Sequence, residues 1–200
     1  MSSGPNRRMG PPGSATWNLI LDAAEGILLE EGYAELTSRR IAERVGIKQR
    51  LVYYYFHTMD DIVVEGFRRM SKRELERLAN ALKAELPLHE VWDICIHTTD
   101  SRLISEFMAL ANRNEGVRRE VINFIEQSRS LQVEALERAM KNGKGAVAGL
   151  PPVVITFMAT SLALALTRES QLGVSMGHRE TERVISEALA SLEPVAPARA

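Results

Sequence analysis

The stretch LTSRRIAERVGIKQRLVYYYF, residues 36–56, decides how this chain folds. Thr37 or Ser38 can cap a helix whose Ile41, Ala42 and Val45 turn inward. Gly46 then supplies a residue that tolerates a left-handed turn. A second, short helix is predicted over residues 48–55, anchored by Val52 and Phe56, which share a face. Tyr53, Tyr54 and Tyr55 succeed one another at about 100° around that helix, so they cannot all enter one core. Tyr55 is expected to pack partly, leaving Tyr53 and Tyr54 outside beside Lys48, Gln49 and Arg50. Two helices joined by about three residues containing a glycine outline a helix-turn-helix. Spacing alone is weak, because many helical proteins have such corners.

Charge strengthens the reading. The chain has a formal net charge of -1, yet Arg39, Arg40, Arg44, Lys48 and Arg50 face only Glu43 within residues 37–50. Such a cluster suits the phosphate backbone of DNA, where cations displace condensed counterions; a solvated basic face is the other reading. In a helix-turn-helix the second helix puts its leading residues into the major groove. Gln49 can pair with adenine, and Lys48 or Arg50 with guanine. A tyrosine hydroxyl further along can reach a phosphate oxygen, fixing register without reading sequence.

Outward from this stretch the chain reads as helix throughout. A first helix starts near Thr16, buries Ile20, Ala23, Ala24, Ile27 and Leu28, and ends at Gly32. Thr58 followed by Asp61 forms a capping box that opens a long helix reaching about Leu86, where Pro87 stops it. Further helices are predicted over 91–97, 102–112, 115–140, 153–172 and 179–192, with a Gly/Pro loop at 141–152. Residues 1–15, rich in Gly, Pro and Ser, read as a disordered arm whose Arg7 and Arg8 could meet a phosphate backbone. A single cysteine, Cys95, excludes an internal disulfide and suits a reducing cytoplasm. No apolar leader is visible, and the apolar run 153–166 falls short of the roughly 20 residues a membrane span needs. Membrane partnership is therefore not expected. Catalysis is not expected either. Cys95 and His97, two apart on a helix, do not meet, and the scattered histidines have no metal-ligand spacing, so neither cofactor nor metal is assigned.

The same residues resemble the TetR family of bacterial transcriptional regulators. The likeness lies in Thr37, the Ile41-Ala42 pair, Gly46-Ile47, Tyr53-x-x-Phe56 and the following HTMDDIV of residues 57–63, about the first quarter of the chain. It implies an all-α fold: a helix-turn-helix DNA-binding domain over 16–60 and an effector-binding and dimerisation domain over 61–195. Thr37 and Ser38 would hold a phosphate, Arg39 would reach DNA, Lys48, Gln49 and Arg50 would read bases or backbone, and Tyr53 and Tyr54 would touch phosphates. A lysine that often clamps a phosphate near the start of the next helix is Met59 here, so the clamp is missing or replaced by His57, the Thr58 hydroxyl or backbone N–H groups.

In the C-terminal part, Ala159, Ala163 and Leu166 line one side of a helix, and Val184, Ile185, Ala188, Leu189 and Leu192 form a stripe on the last. These build either an internal core or a four-helix bundle across a two-fold axis. The resemblance implies the latter: a homodimer reading a palindromic operator. Trp92, Cys95, His97, Phe107, Met108, Phe124, Phe157 and Met158 are candidates to line a cavity for a small apolar effector, or else plain core, with His97 and Asn123 as polar handles. The implied function is a ligand-responsive regulator, most simply a repressor. The competing reading is a helical protein–protein interaction module with a basic surface.

Overall fold

The computed structural model describes residues 10–97, 101–142 and 149–194. The described residues form helices, turns and connections, with no strand. They fall into two compact units.

The first unit holds the described residues up to Ser71 together with Arg102–Ile122. Helix α1 spans Ala15–Glu30 and is capped by Ser14, whose hydroxyl accepts from the Trp17 N–H at 3.4 Å. The cap therefore lies two residues before Thr16, since either hydroxyl could serve and Trp17 needs burial (7% exposed). A 3₁₀ turn, Tyr33–Glu35, leads to α2 (Ser38–Val45) and α3 (Gln49–Tyr55). The expected arm lies partly outside the described residues, but residues 10–14 are placed: the Gly10 N–H donates to the Tyr54 carbonyl at 3.0 Å. A β-carbon at position 10 would sit 2.2 Å from the Tyr55 ring, so only glycine passes there without displacing it.

Helix α4 (Met59–Ala81) opens on the reciprocal bonds of the capping box: Thr58 N–H to Asp61 Oδ2 at 2.9 Å, and Asp61 N–H to Thr58 Oγ1 at 3.1 Å. It stops five residues short of Leu86, because tight turns after Ala81 bring Leu82 into a core with Leu88 and Val91. Helix α5 follows (Pro87–Ile96), then α6 (Ser101–Ala111) and α7 (Glu115–Asn142).

The first unit does not end at residue 60. Phe107 of α6 meets Phe67 of α4 edge-on at 5.1 Å, and Leu103 and Val117 are fully buried beside Phe56, Ile62 and Met70 among the unit's core residues. Arg69 of α4 reaches Asp22 and Glu25 of α1 at 2.7 and 2.6 Å, tying the long helix to the three-helix head.

The second unit contains the rest of α4 and α7 with α5, α8 (Pro152–Gln171) and α9 (His178–Leu192). Leu78, Ala81, Leu82, Leu88, Val91, Ala135, Leu136, Ala139 and Leu192 form its core. The buried Glu193 carboxylate accepts the Leu88 N–H at 2.9 Å and the His89 N–H at 3.4 Å. It thus satisfies the open N-terminus of α5 from beyond the end of α9.

Candidate nucleic-acid interface and effector cavity

The corner between α2 and α3 is built by the backbone. Thr37 is extended and its hydroxyl accepts from the Arg40 N–H at 3.2 Å, closing the start of α2. Gly46 adopts φ 76°, ψ 30°, and the Gly46 and Ile47 N–H groups both bond the Ala42 carbonyl, at 2.9 and 3.0 Å. Val52 and Phe56 are buried, with Phe56 against Trp17 at a centroid distance of 4.0 Å. Burial of that side fixes what faces out: Lys48, Gln49, Arg50, Tyr53 and Tyr54 are all exposed, while Tyr55 is half-buried.

The five local cations are not equivalent. Arg40 makes two bonds of 2.9 Å to Glu31, and Arg44 bonds Glu30 at 2.6 Å and Glu31 at 3.4 Å. The Arg40 hydrogen bond, helped by both guanidinium charges, holds the Glu31 carboxyl below its usual range. Arg39 pairs with Glu43 at 2.9 Å on an open surface, an interaction of little strength. Among the described residues, the cations of this cluster without a carboxylate partner are therefore Lys48 and Arg50, at the leading end of α3.

Ser38 does not face solvent. It is 5% exposed and sits between two side chains of α3: Gln49 Nε2 donates to its Oγ at 2.8 Å, and its Oγ donates to the Tyr53 hydroxyl at 3.0 Å. A direct phosphate role is not open to Ser38 in this geometry. Thr58 spends its hydroxyl on the α4 cap, Met59 is half-buried, and His57 is exposed beside them.

The second unit encloses a cavity of about 120 Å³. Trp92 and Cys95 of α5, Gln132 and Leu136 of α7, Ile155, Thr156, Ala159 and Thr160 of α8, and Ile185, Ala188 and Leu189 of α9 are among its walls. Thr160 Oγ1 donates to Gln132 Oε1 at 2.8 Å, and Gln132 Nε2 meets Cys95 Sγ at 3.7 Å. Of the residues proposed from sequence as lining, the cavity gathers Trp92 and Cys95. Phe107 belongs to the first unit's core, and Met108 lies half-buried on α6 in that unit. His97 is exposed and bonded to Asp93 at 2.8 Å. Phe124 is half-buried off the cavity, and Phe157 is 55% exposed with the Arg129 guanidinium 5.3 Å above its ring. Asn123 and Met158 are also exposed. Gln132, Thr156 and Thr160 escaped notice because polar residues on long helices read as surface.

Burial, with the Glu74 charge adding to it, pushes the Cys95 thiol from 9.0 up to about 11. The folded thiol stays protonated where the unfolded one ionises. Its contribution to stability is thus complete below pH 9 and is lost as pH rises toward 11. Unfolding titrations are expected to show a loss of roughly 2–3 kcal/mol across that window, absent in Cys95→Ala. An equal loss in both proteins would refute this assignment.

Helix α8 carries an apolar outer face. Val153, Val154, Phe157, Met158, Leu162 and Leu164 are each 37–55% exposed, and Ser161 and Ala165 lie among them. The side proposed for dimerisation is the opposite one: Ala163 and Leu166 are buried at 1% and 8%, and Ala159 lines the cavity. At about 100° per residue those three lie half a turn from Ser161 and Val154. On α9, Ala188 and Leu189 also line the cavity, and Val184 is exposed. By length and composition α8, 20 residues long, could also cross a membrane. The sequence estimate missed this because the helix extends beyond the apolar run.

A capped helix, a glycine turn and a short helix presenting cations and phenols together define a helix-turn-helix protein of the DNA-binding kind. Residues 20–66 match the family model described as "Bacterial regulatory proteins, tetR family". Over this segment, about a quarter of the chain, the sequence is similar to the tetR family. It is 28% identical over 71 residues to the fatty acid metabolism regulator protein of Bacillus subtilis (strain 168), a match spanning 36% of this chain and 37% of that protein. Its fold is similar to a TetR transcription regulator from Haloarcula marismortui ATCC 43049 (TM-score 0.70, 19% identity, covering 86% of this chain and 95% of that one). It is also similar to the transcriptional regulator FadR from Bacillus subtilis in complex with stearoyl-CoA (TM-score 0.62, 18% identity, covering 88% and 98%).

Proposed function

We propose that the protein is a ligand-responsive transcriptional regulator, acting in the cytoplasm as a homodimer that represses from a palindromic operator. The observation that carries this is Lys48 and Arg50, without a carboxylate partner among the described residues, beside exposed Tyr53 and Tyr54 on a helix whose opposite side is locked into the core. Thr37, Arg39 and His57 are also exposed and would add to the same contact. Two such heads about one turn of DNA apart, roughly 34–36 Å, would read an inverted repeat. The outer face of α8 supports the dimer: single chains seldom leave so large an apolar area to water.

The effector reading rests on the cavity. Its walls carry no charged side chain, and the Thr160 hydroxyl lies against Gln132 Oε1 and the Thr156 backbone carbonyl. About 120 Å³ is somewhat smaller than the engineered cavity of roughly 150 Å³ that admits benzene. A compact, uncharged, mainly apolar molecule fits this lining. A long thioester bearing phosphates, such as the ligand held by FadR, does not. An effector would act only through its different affinity for DNA-competent and released states. Helices α4 and α7 each contribute residues to both units and are the elements through which that difference would be transmitted.

The test is a titration of the full chain against duplexes from the DNA flanking its coding region, at rising salt. Tight binding to one inverted repeat is expected, with affinity falling steeply as salt increases. Equal binding to every duplex and to heparin would overturn the proposal.

A further inference from the structure

We propose that Ser38 is a positioning residue that sets hydrogen-bond polarity at the DNA surface, a role that rests on the DNA-binding reading above. An amide nitrogen can only donate, so Ser38 Oγ accepts from Gln49 Nε2 at 2.8 Å. The one Ser38 proton is then given to the Tyr53 oxygen at 3.0 Å. Tyr53, 43% exposed, keeps its own proton free to point away from the protein. This polarity matters because a phosphate oxygen only accepts. A phenol that spent its proton on Ser38 would meet the backbone as acceptor against acceptor.

The same network sets how Gln49 can read. With one Nε2 hydrogen held by Ser38, Oε1 and the second Nε2 hydrogen remain for a base edge, in the orientation that this bond sets. Oε1 can accept from the N6 amino group of adenine while the remaining Nε2 hydrogen donates to N7, so the bond to Ser38 orients the amide for that pairing. Buried Ser38 is thus the hub that fixes two contacts it does not itself make.

The experiment uses full-length protein and a duplex selected by the wild type from a randomised pool. Ser38→Ala and Tyr53→Phe are each expected to weaken that duplex by about 25- to 100-fold, the worth of one lost hydrogen bond in each of two heads. The double variant should lose little beyond the worse single one. Thermal midpoints should stay within about 4 °C, and affinity for random duplex should fall alongside that for the selected one, because the Tyr53–phosphate bond is common to both. Ser38→Thr should restore much of the affinity. Ser38→Ala binding within twofold of wild type, or losses that simply multiply, would overturn the relay while leaving DNA binding intact. A wild type that selects no sequence would overturn DNA binding itself.

Discussion

Val154→Glu combined with Met158→Glu is expected to give a folded monomer whose operator affinity is on the order of a thousandfold weaker. Both side chains lie on the outward arc of α8, 38% and 50% exposed. In a lone chain acids there stay in water, and surface substitutions of this sort cost little. Across a two-fold contact they would bury four uncompensated charges, a penalty of several kcal/mol per ion. Loss of the dimer then uncouples the two heads. The second head binds from bulk solution rather than at the millimolar effective concentration set by the first.

The inward side of the same helix gives the control. Ala163→Glu should unfold the second unit rather than separate two chains, because that position is 1% exposed. Sedimentation at micromolar concentration, circular dichroism and operator titration separate these outcomes. A dimeric double variant would refute the assignment of this face. A wild type that stays monomeric and partitions into lipid vesicles would instead assign α8 to a bilayer, the other use its length and composition allow.

What sequence could and could not show follows from how locally each feature is determined. The corner at Gly46, the anchors Val52 and Phe56, and the Thr58–Asp61 box involve neighbours a few residues apart, so their chemistry is readable directly. The neutralisation of Arg40 and Arg44 was hidden, because Glu30 and Glu31 come from the end of α1 and meet them only after folding. The face of α8 was hidden for a different reason. The helix is apolar nearly all round, and small residues occur on both sides, Ser161 and Ala165 outside, Ala159 and Ala163 inside. Periodicity carries no sign in such a helix. The cavity is fixed by four helices from distant parts of the chain. Residue type alone favoured Phe107 and Phe157, and one is core while the other faces water.

The pairing of the arginines yields the second large effect. Lys48→Ala combined with Arg50→Ala is expected to weaken operator binding by about a thousandfold or more, because each substitution removes a contact from both heads. Arg40→Ala and Arg44→Ala, similar in charge change and close in sequence, should cost less than about threefold, since their guanidinium groups are already committed to Glu31 and Glu30. The two effects of the first pair should differ in kind. A side chain that reads a base edge relaxes preference at one position of each half-site. One that meets phosphate lowers affinity for all duplexes and reduces the salt slope by about one per contact. Arg50, on the first turn of α3, is assigned the first behaviour. Lys48, at the capping position with extended backbone, is assigned the second. Binding isotherms over a salt series, on the selected duplex and its single-pair variants, measure both quantities at once. Equal losses from all four substitutions would mean that net charge governs binding, and that the leading end of α3 does not enter the groove.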